Sequence, residues 1–254
     1  MALASELLKR LGQMPEQRRS EFLRRLRSAA DDGAPLSLRQ EQLWNAAVLD
    51  PGQSAHGLAF AFRLRGALDV AALAAAIDDV FERHDVLTSV FVDRDGSPVQ
   101  IAVAHRPYEP RVEDLRHLDD AGRRGQLSAA LGRDAREGFD LEQGPMVRLQ
   151  LFRTADDEHL LLWSTHYMVF DPESAGLVLD ALAAAYEARS SGAEPDLPGA
   201  MSYGDYARWQ RGWTGGEEAQ GLLARWRETL AGWQATELPL DRRRPARLDL
   251  ASAV

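Results

Sequence analysis

Two side chains with chemical potential, His166 and Asp171, lie five positions apart in Ser164-Thr165-His166-Tyr167-Met168-Val169-Phe170-Asp171-Pro172. An apolar run, His159 to Trp163, precedes them and reads as a buried strand. Glu173 to Arg189 follows and reads as a helix. The histidine and the aspartate therefore stand at a strand-to-helix turn, where a packed scaffold can hold polar groups over a cleft. Imidazole, with a pKa near neutrality, can take a proton from an attacking nucleophile or orient it. Tyr167 and Pro172 sit inside the same turn. A phenol donates a hydrogen bond but has an ordinary pKa of about 10, so it is a poor base at neutral pH. Proline has no N–H and fixes φ, so it offers no backbone donor to a ligand and suits the first position of a helix.

The elements that must carry this turn are legible on either side. Phe60, Phe62 and Leu64 alternate with Ala61, Arg63 and Arg65 at strand period, and Gly66 ends the strand. Asp69 caps a helix over Val70–Arg83, with Leu73, Ile77 and Val80 or Phe81 as its buried stripe. Ser37 caps a helix through Leu43 and Trp44. Strands at Thr88–Val92 and Pro98–Val103 flank the hairpin signal Asp93-Arg94-Asp95-Gly96. Asp119–Glu137 reads as a polar surface helix weakened by its glycines. Met146–Phe152 and His159–Thr165 read as strands joined by an acidic turn. Tyr203–Trp213 and Glu217–Trp233 read as two further helices. Residues 3–30 read as two short helices, with Phe22, Leu23 and Leu26 at helical spacing, and Asp31 to Pro35 as a linker. Strands joined by hairpins, followed by helices, indicate an α+β sandwich.

With 254 residues the chain can bury a sizeable core, and its net charge of −9 argues against a general nucleic-acid or anionic-membrane binder. It has no cysteine, which excludes thiolate and disulfide chemistry and fits a reducing compartment. No apolar run approaches the length of a membrane span, and Glu6, Lys9 and Arg10 interrupt any secretory pattern. The expected location is the cytoplasm. His84 and His117 lack metal-ligand spacing, so no metal is assigned. Trp44, Trp209 and Tyr206 read as core and surface packing rather than a stacking platform. Arg242, Arg243, Arg244 and Arg247 read as a solvated connector, with phosphate binding as the alternative.

Six segments in order carry a resemblance. Ser37-Leu38-Arg39-Gln40-Glu41-Gln42-Leu43-Trp44 resembles Ser-x-Ala-Gln-x-Arg-Leu-Trp, and Arg83-His84-Asp85-Val86-Leu87-Thr88-Ser89-Val90-Phe91 resembles Arg-His-Glu-x-Leu-Arg-Thr-x-Phe. Phe139-Asp140-Leu141 with Gly144-Pro145 looks like Phe-Asp-Leu…Gly-Pro. The turn itself resembles His-His-x-x-x-Asp-Gly, with Tyr167 for the second histidine and Pro172 for the glycine. Tyr203-Gly204-Asp205-Tyr206-Ala207-Arg208-Trp209 resembles Tyr-x-Asp-Tyr-Ala-x-Trp, and Leu238 to Pro245 resembles Leu-Pro-Thr-Asp-Arg-Pro-Arg-Pro. The ordered set is similar to condensation domains of nonribosomal peptide synthetases.

That resemblance implies a chloramphenicol acetyltransferase-like sandwich forming one lobe of a two-lobed domain. It implies a helical leader at 1–34, the N-terminal lobe at 35–200, and a crossover toward a second lobe at 201–254. It implies amide or ester formation between carrier-bound thioesters, and no intrinsic cofactor. The phosphopantetheine arms of carrier proteins would enter as substrate, and carrier proteins, adjacent synthetase domains and a second lobe are the expected partners. Holding both arms in line supplies much of such a rate.

The family places its base at the second histidine, where this chain has Tyr167, so Tyr167 and His166 are the candidate catalytic residues. Adjacent residues at a strand end face opposite ways, which favours a structural His166 directed into the fold. Asp171, Arg83 and Pro172 are expected to shape the site: Asp171 salt-bridges Arg83, against a reading of Arg83 as a solvated charge, and Pro172 starts the helix or removes a donor. Thr88, in place of the motif arginine, is a third departure. The resulting expectation is a catalytically impaired module that binds or positions carriers or partner domains. The alternatives are an active condensation catalyst using Tyr167 as donor, and a small-molecule acyltransferase. The last suffers because the spacing His-x-x-x-Asp falls on Tyr167.

Overall fold

A computed structural model of the protein describes residues 33–49 and 56–234, together with 236 and 239. The leader helices at 3–30 and the arginines at 242–247 lie outside these residues, as do the end of the expected crossover and all of the Leu238–Pro245 motif but Pro239. Two sheets organise the rest. The larger has strand order β2-β7-β6-β5, from Gly57–Arg65 (β2), Val112–Asp114 (β5), Val147–Ala155 (β6) and Glu158–His166 (β7). β2 and β6 flank β7 antiparallel, and β5 runs parallel to β6. The smaller has order β1-β4-β3, from Ala34–Pro35 (β1), Ser89–Arg94 (β3) and Ser97–Ala102 (β4). The helices are α1 (Leu38–Leu49), α2 (Val70–Arg83), α3 (Asp120–Glu137), α4 (Ser174–Ser190), α5 (Tyr203–Gly215) and α6 (Glu217–Thr229).

Strand alternation sorts the side chains of β7 into two layers. Leu161 and Trp163 pack in one cluster with Leu73, Ile77, Val80 and Phe81 of α2 and Val178, Leu182 and Ala185 of α4. Leu162 and Leu160 face the other way and meet Phe152, Leu115 and α3 residues Leu127, Ala130 and Leu131. α3 is therefore a core-covering helix, not merely a polar surface one: its small Ala130 lies flush against the sheet, fully buried.

Local rules account for the boundaries. The Asp69 carboxylate accepts from Ala71 and Ala72 N–H at 2.9 and 3.0 Å, capping α2, and Asp119 caps α3 through Gly122 N–H. The β3–β4 hairpin turns on Asp95 (φ 53°) and Gly96 (φ 82°), the pair of positive φ values that a tight two-residue hairpin needs. Ala34–Pro35, expected as linker, instead pairs with Gln100 and Val99 of β4. The approach is tight, since a Cβ added to Gly204 of α5 would stand 2.8 Å from the Ala34 Cβ.

Candidate active site

The turn Tyr167–Asp171 leaves the C-terminal end of β7, the central strand paired on both sides, and this fixes where it starts. Thr165 Oγ1 donates to the Met146 carbonyl at 3.1 Å, and Tyr167 N–H to the His56 carbonyl at 2.9 Å. Met168, Val169 and Phe170 then bury their side chains in the main core. Phe170 lies against Phe60 and Trp163, with ring centroids 5.5 and 5.8 Å away. An apolar plug thus holds the turn from beneath.

His166 is 7% exposed, with His56 and Phe139 edge-on at 6.1 and 5.9 Å between centroids. Its Nδ1 accepts from Met168 N–H at 3.1 Å, which leaves the proton of the neutral ring on Nε2. Burial, and then the neighbouring His56, hold its pKa down at about 4. Tyr167 is half-buried and packs against the main core cluster from the next position along.

The Asp171–Arg83 pair expected from sequence is not formed, and this is a correction. Asp171 is exposed, and its Oδ1 accepts from Ser174 N–H at 2.8 Å and Ser174 Oγ at 2.6 Å. Arg83 instead donates from Nε to the Pro198 carbonyl, its guanidinium lying against Gly199. The aspartate's own helix start lies three residues away, so the local cap takes its carboxylate. Pro172 lies in the turn just before α4, where its missing N–H costs no helical bond, and its carbonyl accepts from Ala175 N–H at 3.3 Å. Asp171→Ala is expected to cost about 1 kcal/mol through the lost cap. Its effect should add to that of Arg83→Ala within about 0.5 kcal/mol in a double-mutant cycle read by denaturant unfolding. A large coupling energy would restore the ion pair.

Three residues that tie the site together had no role assigned from sequence. Gln40, 1% exposed, donates from Nε2 to the Met168 carbonyl at 3.0 Å. Gln100 supports it from β4. Asp85 accepts from Ser202 Oγ at 2.6 Å and Tyr203 N–H at 3.1 Å, and so pins the start of α5. The capping box Ser37-x-x-Gln40 was a readable local signal. Its extension to Met168, 128 positions away, was not.

The family model described as Condensation domain matches residues 30–252. The chain belongs to the condensation domain family. A linear gramicidin synthase of Brevibacillus parabrevis is 38% identical over 218 residues, covering 85% of this chain and 3% of that protein. Phosphinothricin tripeptide synthetase PhsC of Streptomyces viridochromogenes is 34% identical over 258 residues, covering 95% of this chain and 24% of that protein. The X-domain from teicoplanin biosynthesis superposes with a TM-score of 0.71 at 34% identity, over 84% of this chain and 46% of that one. A starter condensation domain of the rhizomide synthetase RzmA reaches 0.76 at 22% identity, over 84% of this chain and 48% of that one. At that identity the likeness is one of fold alone.

The protein is thus a condensation-domain module of nonribosomal peptide synthetase type, with the chloramphenicol acetyltransferase-like α+β fold. It spans a small part of the curated relatives and just under half of the solved chains. No described helix is long and apolar enough to cross a membrane.

Proposed function

We propose that this condensation lobe is catalytically impaired, and that it binds and positions carrier proteins, their phosphopantetheine arms, or partner domains of a synthetase. The observation that carries this reading is the fate of the one motif histidine. His166 is buried, kept neutral, and spends Nδ1 on the Met168 N–H. The position that in the resemblance holds the base carries Tyr167, and Pro172 removes a backbone donor.

The apolar side chains left exposed on α5 and α6 support a positioning role. Trp209 of α5 and Trp226 of α6 are each 61% exposed, and Leu222 and Leu223 of α6 and Leu230 just after it are exposed too. The chain spans just under half of the solved relatives, so a second lobe is the first occupant we assign to these side chains. The teicoplanin X-domain has been solved in complex with OxyB, a precedent for a partner protein in that wider role. One observation favours an active alternative: the turn is anchored throughout, so Tyr167 is presented from an ordered position as a hydrogen-bond donor.

Tyr167→His, in the full two-lobed protein, separates the readings. A general base is worth about 10²–10⁴-fold. With the anchors of the turn kept, acyl transfer between loaded carriers should rise from background by at least about 10²-fold. A variant no faster than the parent would show that more than the base has been lost. A parent already transferring at the rate of the variant would favour the active reading.

A further inference from the structure

We propose that Gln40 is a positioning residue for the motif turn, clamping it from α1 through the Met168 peptide. This rests on reading the turn as the site, but the geometry stands independently of activity. Met168 is gripped on both sides of its residue: its N–H donates to His166 Nδ1 at 3.1 Å, and its carbonyl accepts from Gln40 Nε2 at 3.0 Å. Tyr167 lies between His166 and Met168, with its own N–H held by the His56 carbonyl. The backbone that aims Tyr167 is therefore fixed at successive positions.

The carboxamide of Gln40 is itself determined. Its Oε1 accepts from Ser37 N–H at 2.9 Å and from Gln100 Nε2 at 3.2 Å. Gln100 Nε2 also donates to the Pro35 carbonyl at 2.8 Å. Flipping the Gln40 amide would set an oxygen against the Met168 carbonyl and a donor against the Ser37 N–H, so only one orientation satisfies the group. Ser37 closes the arrangement by accepting from Gln40 N–H at 3.2 Å and meeting Tyr203 Oη of α5 at 3.2 Å. A glutamine three residues after a capping serine ordinarily serves its own helix end. Here its second polar atom reaches the site, and an apolar side chain in its place leaves a carbonyl beside the buried Met168 without that donor.

The test compares Gln40→Met with Ser37→Ala in the full chain, reading the imidazole ¹⁵N shifts of His166 and amide exchange at Met168. Ser37→Ala weakens the same helix cap without removing the Met168 contact. Gln40→Met is expected to speed exchange at Met168 at least tenfold and to mix the His166 tautomers, while Ser37→Ala leaves both near the parent. Gln40→Glu, which keeps the acceptor for Ser37 and loses the amide donor, should at neutral pH follow Gln40→Met and serves if that variant does not fold. Overturning results are an unchanged His166 signature in the Gln40 variants, or an equal change in Ser37→Ala. No transfer assay enters the readout, so the proposal and the reading of impaired catalysis can fail separately.

Discussion

Trp163→Ala is expected to cost about 3–5 kcal/mol of unfolding free energy, the range for truncating a fully buried large aromatic. Trp163 is 1% exposed in the middle of β7, against Phe81 of α2 on one side and Phe170 of the motif turn on another, with ring centroids 5.8 Å from each. It therefore joins the helix layer to the plug beneath the site, and its loss should loosen Met168 to Phe170 as well as lower stability. Trp163→Phe makes the sharper comparison. The buried indole N–H has no hydrogen-bond partner among the described residues, so phenylalanine gives up packing volume but none of the polar contacts seen there. Its cost should stay below about 1.5 kcal/mol. Urea titrations of the two variants would decide: equal costs would mean that the indole nitrogen, not the ring's volume, is what the core depends on.

The second large effect is on pH. The folded-state pKa of His166 is held at about 4, below the ordinary 6.5, because charging the ring where it lies means charging it out of water. Unfolding returns the ring to water, so the unfolded chain takes up the proton first as pH falls. Stability from this group is complete above about pH 6.5 and is lost progressively down to about pH 4. The difference between the two pKa values corresponds to about 3 kcal/mol. The lowered pKa of His159, caused first by burial and then by Arg153 and Arg116, adds a loss in the same direction. His166→Asn retains an acceptor for the Met168 N–H and removes the titration. Its unfolding free energy should fall much less steeply between pH 6.5 and 4 than that of the parent. An unchanged slope would place the proton uptake elsewhere.

Features governed by neighbours in sequence were the ones sequence could show. Asp69 caps α2 from one residue before it, Phe60 and Phe62 alternate along β2, and Asp95-Gly96 turns a hairpin whose two central residues need positive φ. The motif turn belonged to this class too: the expected strand end and helix start fall within one residue of β7 and α4. β5 was missed because three exposed residues, Val112 to Asp114, are too few to show a period. The partners of the site were harder for a different reason. Asp171 takes Ser174 through a local contact three residues on, which the motif resemblance outweighed, whereas the contact of Arg83 with the Pro198 carbonyl lies 115 positions away and no local pattern encodes it. Gln40 carried no role in the sequence beyond its motif position; its bond to Ser37 N–H is local, while its contact with Met168 exists only once α1 packs beside the turn. Motif residues gave the place of the turn, and long-range packing supplied the Gln40 contact that holds it.

The most direct measurement is intact-protein mass spectrometry of an acceptor carrier protein after incubation with a loaded donor carrier and the full two-lobed domain containing this lobe. With both carriers verified as loaded, the acceptor mass is expected to remain unchanged if catalysis is impaired as proposed. A mass gain equal to the donor acyl group would contradict impaired catalysis and make Tyr167 part of a working transfer site.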